Sequence, residues 1–381
     1  MPRIRDFGVT PGYLQPGPLN AITDVPGVRV GHVTINRDVD GVPWRTGVTA
    51  IWPHTGNPLF ERVYAATFPL NGYGEMTARS VVDEWGLLDF PILLTGTNHV
   101  GIVCHWASQY LFEHGAREAG MTSLIPMVAE CDDSYLDGSQ GLAIGRDDVY
   151  AALDNASGGP VAEGCVGAGI GMHLFDFKGG ICTSSRRVQV GQTDYTVGAL
   201  LLTNFGGDLR IEGVPVGRLL SVQEPQEPAE PSQCANAAHS RLPLRGQAHC
   251  KVQANEGSCI VVLATDAPLN ARQCERLAKR AALGLARTGS TARDSSGEII
   301  VAFATGNIIP IRAEPEIMVR TLVEGQAASG VAPLNDLFTG AIEATEEAVY
   351  NALVAAETIT GVDGHVLEAI PHERLQALLR H

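Results

Sequence analysis

Ten apolar-rich runs punctuate the chain, at residues 28–35, 47–53, 61–70, 90–97, 125–130, 165–172, 179–190, 195–206, 258–267 and 298–306. Several have cores that do not alternate, such as I-V-V-L-A (260–264) and I-I-V-A-F-A (299–304). That pattern predicts strands buried on both faces. Helical periodicity lies between the runs, at 75–88, 101–119, 270–287 and 334–357. For the third segment Asp266 or Asn270 is a candidate cap, and Leu269, Gln273, Leu277, Ala281 and Leu285 fall near one face. Gly289 is placed to stop it. The acidic stretch of the fourth, 343–357, reads as a partly solvated outer helix. Strands outnumber long helices, so sheets packed on each other under a cover of helices fit better than one doubly wound sheet.

Residues 221–257 break the pattern, with four prolines and almost no periodic apolar signal. They read as a linker or mobile loop. A connector of more than about 15 residues inside a compact chain calls for a reason. This one ends at Gly257-Ser258, directly before a core strand. Most such pairs are turns. A second reading is chemical. If the Gly257–Ser258 bond breaks, Ser258 becomes a chain terminus whose amine, with an ordinary pKa of about 8, lies beside its own hydroxyl. One residue then carries nucleophile and base. The cut itself is an N-to-O acyl shift of Ser258 onto the Gly257 carbonyl, followed by hydrolysis. Glycine on the leaving side tolerates the strained backbone this needs.

Composition narrows the classes. The 381 residues are 45% hydrophobic and 18% charged, ample for a large core, with a net charge of −15. That charge disfavours phosphate backbones, and no basic patch with interleaved aromatics occurs, so nucleic acid is not an expected partner. No run approaches the roughly 20 apolar residues of a membrane span, and the N-terminus lacks the apolar segment of a signal peptide. A cytoplasmic protein is the expectation. The eight cysteines, Cys104, Cys131, Cys165, Cys182, Cys234, Cys250, Cys259 and Cys274, include no C-x-x-C pair. They read as buried thiols rather than disulfides or metal ligands. G-A-G-I-G (167–171) lacks the spacing of a dinucleotide loop, H-E-R-L-Q (372–376) lacks a second histidine, and no G-x-S-x-G elbow occurs. No metal is expected.

Longer stretches carry a resemblance. N-A-I-T-D-V-P-G-V-R-V-G-H (20–32), N-G-Y-G-E-M-T (71–77), T-G-T-N-H-V-G (95–101), V-A-E-C-D-D-S-Y-L-D (128–137) and E-G-C-V-G-A-G-I-G-M (163–172) lie in the first half. F-K-G-G-I-C-T-S-S-R (177–186), T-N-F-G (203–206), G-S-C-I-V-V-L-A-T-D-A-P-L (257–269) and S-S-G-E-I-I-V-A-F-A-T-G-N (295–307) follow. Over nearly its whole length the chain resembles the L-aminopeptidase/D-esterase and β-peptidyl aminopeptidase family, self-processing hydrolases with an N-terminal serine nucleophile.

The resemblance implies an αββα sandwich, two central β-sheets flanked by helices, of N-terminal-nucleophile-hydrolase type. It implies cleavage at Gly257-Ser258 into chains 1–257 and 258–381 that remain one folded unit, and assembly of several such units, four by family expectation. Ser258 matches the nucleophile, Ser296 and Glu298 a serine and an acid of the catalytic network, and Asn204 a side-chain donor to the oxyanion. Glu130 matches a carboxylate that holds the substrate's free amine, and Tyr135 a pocket-lining aromatic. The implied substrates are short peptides, amino-acid amides and esters, and no cofactor is implied. Taken alone, Asn204 also reads as a strand-ending turn residue, Glu130 as a solvated strand end, and Ser296-Gly297 as a turn before an exposed Glu298. Cys131 and Cys182 depart from the pattern, standing where threonine and a small residue such as glycine are expected. Two rival functions are an acyltransferase related to ornithine acetyltransferases, which carry threonine at the new terminus, and an unprocessed binding or assembly protein.

Overall fold

The computed structural model describes residues 1–221, 257–312 and 314–380. The expected linker, its two ends apart, lies outside the described residues, as do Cys234 and Cys250. The other six cysteines are free thiols. In chain order the strands are β1 (Arg29–Val39), β2 (Val42–Trp52), β3 (Glu61–Gly72), β4 (Leu87–Leu88), β5 (Ile92–Gly96) and β6 (Met127–Cys131). Then come β7 (His173–Leu174), β8 (Phe177–Lys178), β9 (Gly180–Val190), β10 (Thr193–Asn204), β11 (Gly257–Thr265), β12 (Ser296–Pro310), β13 (Ile359–Thr360) and β14 (Val366–Leu367). The helices are α1 (Arg79–Trp85), α2 (Val100–Glu113), α3 (Arg146–Asp154), α4 (Val216–Ser221), α5 (Ala271–Arg287), α6 (Pro333–Ala355) and α7 (His372–Leu379).

Two main sheets result. One has the order β1-β2-β5-β6, the other β4-β3-β12-β11-β10-β9. Within the larger sheet β11 runs parallel to β12 and antiparallel to β10. The doubly apolar strands explain the layering. On β11, Ile260, Val262 and Ala264 pack between the sheets against Leu94, Met127 and Ala129, while Val261 and Leu263 face Leu277, Ala281 and Ala348 of α5 and α6. The outer face of the smaller sheet, with Val48, Leu93 and Val128, packs on Val103, Ala107 and Leu153 of α2 and α3. Three apolar layers between four structural ones make the αββα sandwich. Each fully buried aliphatic side chain contributes about 1.5–3 kcal/mol.

Local chemistry sets the helix ends. Asn270 caps α5: its side chain accepts from the Gln273 N–H (3.0 Å), and the Gln273 side-chain oxygen accepts in return from the Asn270 N–H (3.2 Å). Three expected elements differ from the pattern. The run 165–172 is not a strand but a 3-10 turn over Gly167–Gly171. The Gly167 N–H goes to the Thr34 hydroxyl (2.7 Å) and the Ala168 N–H to that of Thr49 (3.3 Å), so these donors have no strand partner. The helix expected over 75–88 shortens to α1, because Gly86 ends it in a left-handed conformation and Leu87 and Leu88 join β3 as an edge strand. The helix expected over 101–119 stops at Glu113.

The fourth helix gives the largest correction. Far from being partly solvated, α6 is buried along most of its length, Glu343 and Glu347 included. Their countercharge is Arg186 of β9, itself fully buried. Its Nε donates to Glu343 (3.1 Å) and a terminal nitrogen to Glu347 (2.7 Å). Arg5 adds a second pair to Glu347 (2.7 Å), and the Tyr13 and Leu14 N–H groups donate to Glu343 (3.0 Å each). Burial alone would raise the Glu347 carboxyl, but the Arg5 hydrogen bonds and the Arg186 charge outweigh it and hold the group below its ordinary range. Stability from a depressed carboxylate is present at neutral pH and is lost as pH falls through its folded value. Arg186→Ala is therefore expected to cost about 3–5 kcal/mol at pH 7 by leaving buried Glu343 without a countercharge among the described residues and Glu347 with Arg5 alone. Urea unfolding reads this, and the deficit should shrink on acidification as Glu347 takes up a proton.

Candidate active site

A cavity of about 430 Å³ opens where β3, β5 and β6 end and β11 and β12 begin. Gly257 and Ser258 form one wall, and Glu130 faces them from the other sheet. Ser258 is almost fully buried, and in the ladder it lies opposite Asn204 of β10 and Gly297 of β12. It shares its strand face with Ile260 and Val262, so its side chain belongs to the layer between the sheets. There it lies against the Cys131 thiol, which burial pushes well up and keeps protonated. Two glycines permit this close packing. A Cβ on Gly297 would come 2.2 Å from the Tyr73 carbonyl oxygen, and one on Gly257 would come 2.8 Å from the Phe205 Cα.

Glu130, near the end of β6, is buried yet lines the cavity. Its carboxylate accepts the Glu75 N–H (2.8 Å) and the Thr97 hydroxyl. Burial raises its pKa, and these two hydrogen bonds oppose the rise. Each oxygen keeps a lone pair, and no cationic side chain lines the cavity among the described residues. The arrangement suits an incoming ammonium.

Asn204 ends β10, buried beside Ser258. Its Oδ1 accepts the His173 N–H (3.0 Å), which fixes the amide orientation, and its Nδ2 donates to the Asp132 carbonyl (3.0 Å). One N–H of that nitrogen remains for a further acceptor. Ser296 and Glu298 flank Gly297 on β12. The Ser296 hydroxyl donates to Glu298, whose other carboxylate oxygen is buried without a partner among the described residues. Burial raises the Glu298 carboxyl, and the Ser296 hydrogen bond lowers it. Both side chains share the helix-facing side with Cys259. In the uncut chain they therefore adjoin Ser258 through the backbone, and no hydrogen bond joins them to its hydroxyl.

Tyr135 lies elsewhere. Its ring stacks on His365 at 4.3 Å, and its carbonyl accepts from that imidazole (2.9 Å). The aromatic at the cavity is Tyr73. Thr97, Asn98, Asp132 and Ser134 also reach the cavity. Their motifs, T-G-T-N-H and E-C-D-D-S, stand immediately after strand runs, the one sequence signal that marks such loops. Among the described residues the grouping with metal-ligand character is His99, Asp133 and Asp137, all buried, with ligand atoms within 4.8 Å of one another. Ser139 joins it by accepting from His99 (3.2 Å) and donating to Asp137 (2.5 Å). Burial raises the Asp133 carboxyl well above its ordinary value and favours the neutral acid. His99, Ser139 and Asp137 thus form a hydrogen-bonded chain, while both Asp133 carboxylate oxygens are buried without a partner among the described residues.

The chain has clear relatives. The sequence pattern of peptidase family S58 matches residues 20–367. A beta-peptidyl aminopeptidase, BapA of Sphingosinicella xenopeptidilytica, is 43% identical over 387 aligned residues, spanning 100% of this chain and 91% of the relative. Two solved structures superpose on the whole chain and on 98% of their own. One is a beta-aminopeptidase from Burkholderia sp. (TM-score 0.85, 38% identity). The other is the L-aminopeptidase D-Ala-esterase/amidase from Ochrobactrum anthropi (TM-score 0.84, 36% identity), a prototype of the serine aminopeptidases with a variant of the Ntn hydrolase fold. The two-sheet sandwich described above is that fold.

Proposed function

We propose that this chain, which belongs to peptidase family S58, cuts itself between Gly257 and Ser258 and then works as an aminopeptidase on short peptides, amino-acid amides and esters. The observation that carries the reading is the position of Ser258: second residue of a core strand, in the cavity wall, facing Glu130 and laddered to Asn204. In the cut, the Ser258 Oγ bonds to the Gly257 carbonyl carbon and the C–N bond breaks. Water then hydrolyses the ester, leaving a carboxylate on Gly257 and a free amine and hydroxyl on Ser258. The parts 1–257 and 258–381 stay together because β11 is central to its sheet. The new amine can turn toward the unpartnered oxygen of Glu298, while Ser296, on the other oxygen, serves as a proton carrier beside it.

In turnover, Glu130 holds the substrate ammonium. The Ser258 amine takes the proton from Oγ as Oγ attacks the carbonyl carbon. The remaining Asn204 N–H receives the oxyanion, a contact worth about 3 kcal/mol in comparable sites. The leaving amine or alcohol departs with the proton, and water hydrolyses the acyl-enzyme. The names of the relatives make N-terminal β-residues the first substrates to compare with L-α-residues. The reading also includes a cytoplasmic location and assembly of processed units, four by family resemblance. Exposed apolar Ile317, Met318, Val319 and Val323 support assembly. Among the described residues no helix is long and apolar enough to cross a membrane.

Intact-mass analysis tests the core of this. Wild-type protein should give two fragments, the second beginning Ser-Cys-Ile, and Ser258→Ala should give one uncut chain without amidase activity. A single wild-type species that hydrolyses amides would sink the mechanism. A second test uses pH. Only the carboxylate form of Glu130 attracts an ammonium, and its pKa is raised. KM should therefore climb on the acid side at a pH above the ordinary carboxylate range. Glu130→Gln should raise KM by at least about tenfold, the loss of one charge-assisted contact, and remove that limb from the KM profile.

A further inference from the structure

The hairpin of β7 and β8 carries a charge with no role in the steps above. Lys178 is fully buried, and among the described residues no carboxylate pairs with it. Its ammonium instead donates to three carbonyl oxygens, of Gly169 (2.9 Å), Met172 (2.8 Å) and Gly179 (2.8 Å). Taking a cation out of water is costly, and a methionine of similar length would fill the space without that cost. Burial pulls the Lys178 pKa down to about 8, so the fold works against the charge and still keeps it satisfied. A buried cation held on three backbone carbonyls, with the Cys165 thiol as the one side chain among the described residues that favours its charge, calls for a reason beyond packing.

The reason lies in which peptide units it grips. The Met172 carbonyl belongs to the same peptide unit as the His173 N–H, and that N–H donates to Asn204 Oδ1 (3.0 Å). The Gly179 carbonyl belongs to the same unit as the Gly180 N–H, which donates to the Thr203 hydroxyl (3.2 Å), one residue before Asn204. The Thr203 hydroxyl in turn donates to the Gly180 carbonyl (3.0 Å). A cation on a peptide oxygen fixes the plane of that peptide and polarises its N–H into a stronger donor. Two such units, both held by one ammonium, converge on the end of β10.

We propose that Lys178 is a positioning residue for the oxyanion donor: through the 172–173 and 179–180 peptide units it locks the Asn204 amide with Oδ1 inward and Nδ2 toward the reacting carbonyl. The inference rests on the reading that Asn204 receives the oxyanion. Without the ammonium the three carbonyls repel one another, the 172–173 peptide keeps only the Gly179 N–H (3.0 Å) on its carbonyl, and the Asn204 amide is left with its Asp132 contact and a weakened, less fixed His173 donor. Substrate binding at Glu130, on the other sheet, is left alone.

A double-mutant cycle on the full-length protein tests this, with rates counted per cleaved chain by intact mass. Lys178→Met is expected to lower kcat by about 10–100-fold with KM within about threefold, and Asn204→Ala by about 100-fold or more. The double variant should be no slower than Asn204→Ala alone, because Lys178 acts only through that amide. Losses that multiply, or a Lys178→Met enzyme with wild-type kcat, would overturn the proposal. If Lys178→Met fails to fold by circular dichroism, Lys178→Gln, which keeps two donors, is read in the same cycle against the same criteria. If the variants cut slowly, the rate of self-cleavage by intact mass replaces kcat in the same cycle, and a Lys178→Met chain that cuts at the wild-type rate overturns the proposal. Failure of the underlying reading looks different: Asn204→Ala alone would then retain full kcat, or Ser258→Ala would remain active.

Discussion

The register of three adjacent strands, β10, β11 and β12, is the constraint on which the site depends. It sets Ser258 between Asn204 and Gly297 and turns its side chain into the layer between the sheets. A slip of one residue would exchange Ser258 for Cys259 and present a thiol to the cavity. Ordinary alternation does not prevent that slip, because β11 is apolar on both faces and either parity buries well. The steric demands at the strand ends do. Only glycine fits beneath the Tyr73 carbonyl at position 297, and only glycine fits against Phe205 at position 257. The two glycines that make the chain flexible in the abstract make its register exact in place.

Around that register the chain buries a considerable number of charges. The carboxylates of Glu130, Glu163, Glu343 and Glu347 are answered by groups distant in sequence, whereas Lys178 is answered within its own hairpin and the turn before it. Arg186 answers Glu343 and Glu347, Arg3 answers Glu163 (2.7 Å), and Lys178 answers three carbonyls. Glu130 is answered by a backbone N–H and a hydroxyl from two separate loops. Side chains held in this way do not have to reorganise when a substrate binds or charge develops, which is the physical content of preorganisation. The Asn204 amide belongs to the same scheme, its orientation dictated by a peptide unit of the hairpin beyond it. Family membership and the shared sandwich give this arrangement its chemical setting in the serine aminopeptidases.

Much of this is legible in the sequence. The apolar runs located the central strands, the Asn270 cap and the α5 periodicity held, and the Gly257-Ser258 junction stood out because a polar, proline-rich stretch met a core strand there. The resemblance then named Glu130 and Asn204, and both lie at the cavity or beside the residue that forms its wall. Other features were not legible. The glycine-rich run 165–172 has the composition of a buried strand, but threonine hydroxyls from β1 and β2 take its amides and leave a turn. Tyr135 and Tyr73 each follow a strand run by a few residues, and nothing in that placement tells the one stacked on His365 from the one at the cavity.

The sequence by itself thus determined the layers, the candidate nucleophile and the family, because hydrophobic periodicity and contiguous motifs are local properties that a linear reading retains. The tertiary structure alone decided which charges are inside and which groups share a wall. An acidic helix such as α6 looks solvated until a buried arginine on β9, more than 150 residues away in the chain, is set against it. Countercharge, close approach and cavity shape are properties of pairs brought together by folding, and no window along the chain contains both members.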